Sequence, residues 1–298
     1  MVAGLVRNGT SPQEPVVAKG LKYLESNTKE DGGIYNKFLG NYTSAVAIMA
    51  LKEANTKGKY DDVLKRAGEY IKNIQHVEDG INQGGFGYDK TGRPDMSNSA
   101  FSVEALLAAG LSKDDPAVKN ALKFISRCQN LPGENNKETY AAKTSAEDKG
   151  GFVYDPHMSD KNKYKTAAGG LRSVGGMTYS GLKSFLYAGV DKKDERVVAA
   201  VKWIRENYTV EENPGMGKAG LYYYYHTFAK AMDALGEDQF EDAKGKKHDW
   251  RRELFDTLQK QQQANGSWRN MGERTFGEDN ADLSTGFALL SLSYCTKR

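Results

Sequence analysis

The chain has little cysteine: Cys128 and Cys295 are the only two in 298 residues. Two thiols cannot build a disulfide framework or a four-thiolate zinc site, while one bridge and two free thiols fit equally. No apolar run approaches the roughly 20 residues that a bilayer-spanning helix needs, and the polar stretch from Met1 to Pro15 lacks the apolar middle of a signal peptide. The expectation is a soluble chain with no membrane span and its cellular compartment open. Charge of one sign is also missing. Basic residues number 42 against 39 acidic ones, scattered without a basic block, which argues against a nucleic-acid partner and leaves any protein partner open. No phosphate loop, dinucleotide fingerprint or serine nucleophile elbow occurs.

What the chain has is a repeat. A helix, a glycine-rich turn and a second helix recur five times at an irregular spacing of about 60 residues. The first helices start near Val16, Val63, Ala117, Val197 and Trp250, and four of them carry an aromatic followed by an aliphatic: Tyr23-Leu24, Tyr70-Ile71, Phe124-Ile125 and Trp203-Ile204. One register implies one buried seam per helix. The turns hold Gly32-Gly33, Gly84-Gly85, Gly150-Gly151, the 215–220 stretch and Asn265-Gly266. The second helices, starting near Thr43, Ser99, Thr178, Tyr225 and Ser284, are richer in small and apolar residues. A helix surrounded by protein has that composition, whereas the charge-rich first helices suit a border with solvent. Such hairpins must stack on neighbours to bury both faces, as a spiral or a closed ring.

The first helices resemble the QW repeat of squalene/hopene cyclases, which reads basic-small-x-x-aromatic-aliphatic-x-x-x-Gln-x-x-x-Gly-x-Trp. The second unit supplies Arg66, Ala67, Tyr70, Ile71 and Gln75, the third Ala121, Phe124, Ile125 and Gln129, and the last Gln262, Gly266 and Trp268. The first keeps Lys19, Gly20, Tyr23, Leu24 and Gly32 but has Thr28 at the glutamine position. The resemblance to the prenyltransferase and squalene cyclase superfamily implies an all-α fold. That fold is one α/α toroid (α/α barrel) over residues 1–298, with inner and outer rings of five to six hairpins, after a disordered segment 1–14. The 131–149 or the 157–170 insert is expected to hide the sixth wall.

The inner-helix N-termini share one mouth, where unpaired N–H groups are expected to meet polar ligand groups. Squalene/hopene cyclases carry Asp-x-Asp-Asp-Thr there, its middle acid protonating an alkene. Here the position reads Asp95-Met96-Ser97-Asn98-Ser99, keeping the first carboxylate alone. Protein prenyltransferase β subunits bind zinc at the same mouth. His226-Thr227 is similar to half of that site, but Ser97 stands at the cysteine position. Asp95 and His226 are the catalytic candidates, Asp95 also reading as a helix cap and His226 as a structural residue. Phe101, Tyr179, Tyr223 and Phe287, with Asn98 and Asp282, are the substrate-binding candidates, since aromatic faces suit an isoprenoid carbocation or an apolar ligand as well as a plain core. Of the four tyrosines 222–225, at most two fit one cavity. Glu278, Asp279 and Asp282 read as caps that also suit magnesium, and His157 has no evident partner. The expectation is no required cofactor, with magnesium or zinc as the metals left open.

Three functions follow. The first is a toroid binding an apolar, isoprenoid-class small molecule, with terpene cyclase or prenyl-transfer chemistry open. The second is a non-catalytic binding or scaffolding toroid. The third is a polysaccharide-active toroid using Asp95 with Asp282, because such mechanisms need two facing carboxylates.

Overall fold

Outer helices form where a charged stripe opposes an apolar one. In the computed structural model, which describes residues 1–158 and 163–296, these are α2 (Pro15–Ser26), α4 (Asp61–Asn73), α6 (Pro116–Arg127), α8 (Glu195–Glu206) and α10 (Trp250–Gln261). Proline at the first position starts α2 and α6 without losing a hydrogen bond, and Asp115, Asp194 and Asp249 cap α6, α8 and α10 by accepting from main-chain N–H groups. The inner helices are α3 (Gly40–Glu53), α5 (Met96–Ala108), α7 (Gly175–Tyr187), α9 (Leu221–Leu235) and α11 (Ala281–Cys295). Each starts about one turn before its apolar pattern does, because that first turn is held by tertiary partners rather than by local propensity.

Consecutive inner helices pack side by side from α3 to α11. The ring is closed by α1 (Val2–Arg7), which sits between α11 and α3. The N-terminal segment expected to be disordered is therefore partly helical and carries the sixth inner wall. Gly4 is buried where a side chain would collide with Leu289. Arg7 donates to Ser293 Oγ at 2.9 Å and pairs with Glu53 at 2.6 Å, tying α11 to α3. The 131–149 insert holds only a short 3-10 turn, Ala141–Lys143, and the other insert has no helix among its described residues, with 159–162 outside them. A two-stranded ribbon, β1 (Phe240–Glu241) with β2 (Lys247–His248), was not foreseen. No helix among the described residues is long and apolar enough to cross a membrane.

One contact recurs around the ring. The first glycine of each of three turns has positive φ (Gly32 +92°, Gly84 +83°, Gly150 +92°), and any Cβ there would strike the carbonyls of Arg66, Asn120 and Ala199 on the next outer helix. The second glycine lies under an aromatic ring of that helix: Gly33 under Tyr70, Gly85 under Phe124, Gly151 under Trp203. Glutamine locks the joint. Gln75 Nε2 donates to the Gly84 and Ala117 carbonyls at 2.9 and 2.8 Å, and Gln129 Nε2 to those of Gly150 and Arg196 at the same distances. The residue after the glycines then donates its N–H to an inner-helix hydroxyl, Ile34 to Ser44, Phe86 to Ser99 and Phe152 to Thr178. Tyr23 has the same register but no turn to cover, and it is 58% exposed rather than buried in a seam.

These joints are testable by urea unfolding. Gly84→Ala combines a disfavoured φ with a backbone collision and is expected to cost more than about 2 kcal/mol. Gln75→Ala, which strands the buried Gly84 carbonyl and removes the tie to Ala117, should cost roughly 1–3 kcal/mol. Gly272→Ala, with open space around it, should stay within about 0.5 kcal/mol.

Candidate functional site

The ring encloses a cavity of about 260 Å³ at the N-terminal ends of the inner helices. Its walls are mainly aromatic and aliphatic. Tyr42, Met177, Tyr223, Leu283 and Phe287 come from inner helices, and Leu39, Tyr88, Tyr154, Met216 and Phe276 from the connecting loops. Two of the loop residues, Leu39 (φ 58°) and Phe276 (φ 65°), hold left-handed backbone without being glycine. Such strain persists only where surrounding structure enforces it, and it concentrates at binding sites.

The donors of the mouth are already engaged. The Asn41 N–H donates to the Tyr88 carbonyl, Met96 N–H to that of Tyr154, Gly175 N–H to that of Pro214 and Gly176 N–H to Asn213 Oδ1. At α9, whose cap residue Gly220 has no side chain, Glu278 reaches across from the last loop. Its Oε1 accepts from the Tyr223 N–H at 2.8 Å and its Oε2 from Asn270 Nδ2 at 3.0 Å. Burial raises the Glu278 carboxyl, and the α9 N–H groups oppose that rise. The expectation that free N–H groups await a polar ligand is corrected here, because neighbouring loops satisfy them.

Asp95 is a buried cap. Its Oδ1 accepts from the Asn98 N–H at 2.8 Å and its Oδ2 from Asn98 Nδ2 at 2.7 Å. Desolvation pushes its carboxyl up to about 6, against those bonds and with help from Asp155. Asp95 and Asn98 stand behind Ser97, which lines the cavity while they do not. Asp282 is exposed in the first turn of α11 and is not in the wall either, so the structure does not bring it to a shared cavity with Asp95. Tyr179 packs between α7 and α9 against Tyr224 and Phe228, with ring centroids 5.6 and 5.0 Å away, rather than facing the cavity. Of the four consecutive tyrosines only Tyr223 lines it.

Phe101, Tyr223, His226 and Phe287 come together as the floor. Phe101 lies edge-on to Tyr42 (5.2 Å) and Tyr223 (6.0 Å) and stacks on His226 at 6.4 Å. Phe287 meets Tyr223 at 5.9 Å and His226 at 5.5 Å. Burial, reinforced by Lys230, holds the His226 imidazole well below its ordinary pKa, so it is neutral near pH 7 and has no proton to give as an acid. His157, by contrast, gains partners in Asp155 and Asn82 Oδ1.

The donor set does not fit the metals that the resemblance raised. Both Asp95 oxygens face Asn98, Cys128 and Cys295 are free thiols that do not pair, and among the described residues no three His, Cys, Asp or Glu side chains converge on one point. Glu278 is the residue the sequence underused. It reads as a local cap, and nothing in the sequence shows that the helix it caps is α9 rather than α11.

A model of the squalene-hopene cyclase C-terminal domain matches residues 1–151, and no curated protein matches the chain. The match spans the first two glycine-turn joints and reaches the third, together with the helices they hold. With half its length matched and its helices closed into inner and outer rings, the chain belongs to the squalene-hopene cyclase C-terminal domain family.

Proposed function

We propose that the chain binds an apolar, isoprenoid-class small molecule in the cavity at the inner-helix N-termini. The observation that carries this reading is a chamber with mainly aromatic and aliphatic walls, at whose mouth first-turn donors of α3, α5, α7 and α9 are turned to neighbouring loops. A diphosphate or sugar needs unengaged polar groups, and an apolar chain does not. A volume of about 260 Å³ sits just below the roughly 300–1,000 Å³ of drug-sized pockets, which favours a ligand of two or three isoprene units over a triterpene. The ring faces of Tyr42, Tyr223 and Phe287 would also stabilise positive charge in such a ligand. Acid-initiated cyclisation is not part of the proposal, since Asp95 stands behind Ser97 with both oxygens engaged. A scaffolding role lacks an observation of its own, and the polysaccharide reading lacks a facing carboxylate pair.

Isothermal titration with geraniol, farnesol and an oligosaccharide tests this. One terpenol is expected to bind with one-to-one stoichiometry, and Tyr223→Ala and Phe287→Ala should each weaken it by about ten-fold or more, the range of a lost aromatic wall. Absence of terpenol binding, or preference for the oligosaccharide, would reject the proposal.

The capping role of Asp95 has its own signature. An unfolded aspartate titrates near 3.8 and the folded one near 6, so between these values the folded chain keeps a proton that the unfolded chain has lost. Stability therefore falls as pH rises through that window, by up to about 3 kcal/mol, and the full penalty is present above it. Asp95→Asn cannot ionise and still offers an oxygen to the Asn98 N–H. Relative to wild type, its urea-derived stability should improve by up to about 3 kcal/mol between pH 4 and pH 7. An unchanged difference across that range would mean the carboxyl meets water and is available to the cavity.

A further inference from the structure

Below the aromatic floor lies a second chamber of about 110 Å³, toward the C-terminal ends of the inner helices. It is walled by apolar side chains, among them Val46, Met49, Phe287 and Leu290, yet it also carries buried charge. Glu104 on α5 pairs with Lys183 on α7 at 2.8 Å and with Lys230 on α9, and both lysines are more than nine-tenths buried. Two ammonium groups thus share one carboxylate, leaving a positive charge on buried side chains beside apolar walls, an arrangement that is costly unless something answers it.

The hydrogen bonding is short of acceptors too. An ammonium has three N–H donors. Lys183 spends one on Glu104, and Lys230 one on Glu104 and one on the weak acceptor Met49 Sδ at 3.9 Å. His226 forms part of the same wall, 1% exposed, and its Nδ1 has no hydrogen-bond partner among the described residues. At the edge of the chamber Arg7 and Glu53 pair with each other, and the exposed Lys52 adds a further positive charge. A cationic corner with spare donors, joined to aliphatic walls, matches a ligand with one negative head and a short hydrocarbon tail.

We infer that the lower chamber is a binding site for a short aliphatic carboxylate, its head against Lys230 beside the His226 ring and its tail against Val46, Phe287 and Leu290. The excess positive charge selects an anion, and the apolar wall selects a tail over a bare inorganic ion. The site is separate from the upper cavity, so either stands if the other fails.

The full chain is used for the test, with sodium butyrate, sodium chloride, sodium phosphate and butan-1-ol at matched ionic strength. Butyrate should raise the thermal unfolding midpoint saturably and bind with one-to-one stoichiometry by calorimetry, while chloride and butanol should not. Lys230→Met should weaken butyrate at least ten-fold, and Lys230→Arg should retain most of the binding. The wild-type comparison of butyrate with butanol decides the matter even if the Lys230→Met chain does not fold. Butyrate acting no differently from chloride, phosphate binding as tightly as butyrate, or a folded Lys230→Met chain with undiminished affinity would each overturn the assignment.

Discussion

The close seating of each glycine turn on the backbone of the next outer helix is the constraint from which the ring follows. A hairpin of two helices has no fixed angle to its neighbour. Here Gly84 meets the Asn120 carbonyl and Gln75 spans from the turn to the first turn of α6, so both spacing and tilt are set. The same geometry at Gly150 and Gln129 sets α8, and the hydroxyls of Ser44, Ser99 and Thr178 hold each turn down on its inner helix. Because these bonds link backbone to amide or hydroxyl, they tolerate wide variation in the residues between them. That freedom lets the inner surface be shaped for a ligand without loosening the wall.

The inner surface was shaped by closing off polarity. Five inner helices, α3 to α11, aim their N-termini at one mouth, an arrangement that ordinarily draws anions. Loop carbonyls from Tyr88, Tyr154 and Pro214, the Asn213 amide and the Glu278 carboxylate occupy that field instead. What faces inward is mainly tyrosine, phenylalanine, methionine and leucine, with Ser97, Asn213 and Glu278 among them. Toward the other end of the axis Lys183 and Lys230 share the Glu104 carboxylate. The Phe101, His226 and Phe287 rings stand between the two chambers.

Legibility in the sequence tracked the range of the interactions. The paired helices and their turns could be read because glycine, glutamine and the aromatic-aliphatic pair recur at fixed offsets, and the inner and outer rings because α3 and α5 are apolar on more faces than α4 and α6. The sixth wall escaped notice because α1 is too short for a periodic signal and is held by Arg7 and Asn8 reaching residues some 280 positions away. At the site, Phe101, Tyr223, His226 and Phe287 are brought together. Tyr179, Asn98 and Asp282 are not, since one residue of helical offset decides whether a side chain faces the axis or a neighbouring helix. Tyr23 shows the converse: a motif residue is buried only when the element it should cover is there.

The ring stack of Phe101, His226 and Phe287 also makes the toroid a cup instead of a tube. For a guest of the proposed kind these rings would block the direct path downward, so arrival and departure would share the upper mouth. Residence is then governed by how readily the lip, where Leu39 and Phe276 hold their unusual backbone turns, flexes aside, and a bulky molecule lodged at that lip would trap whatever is already inside.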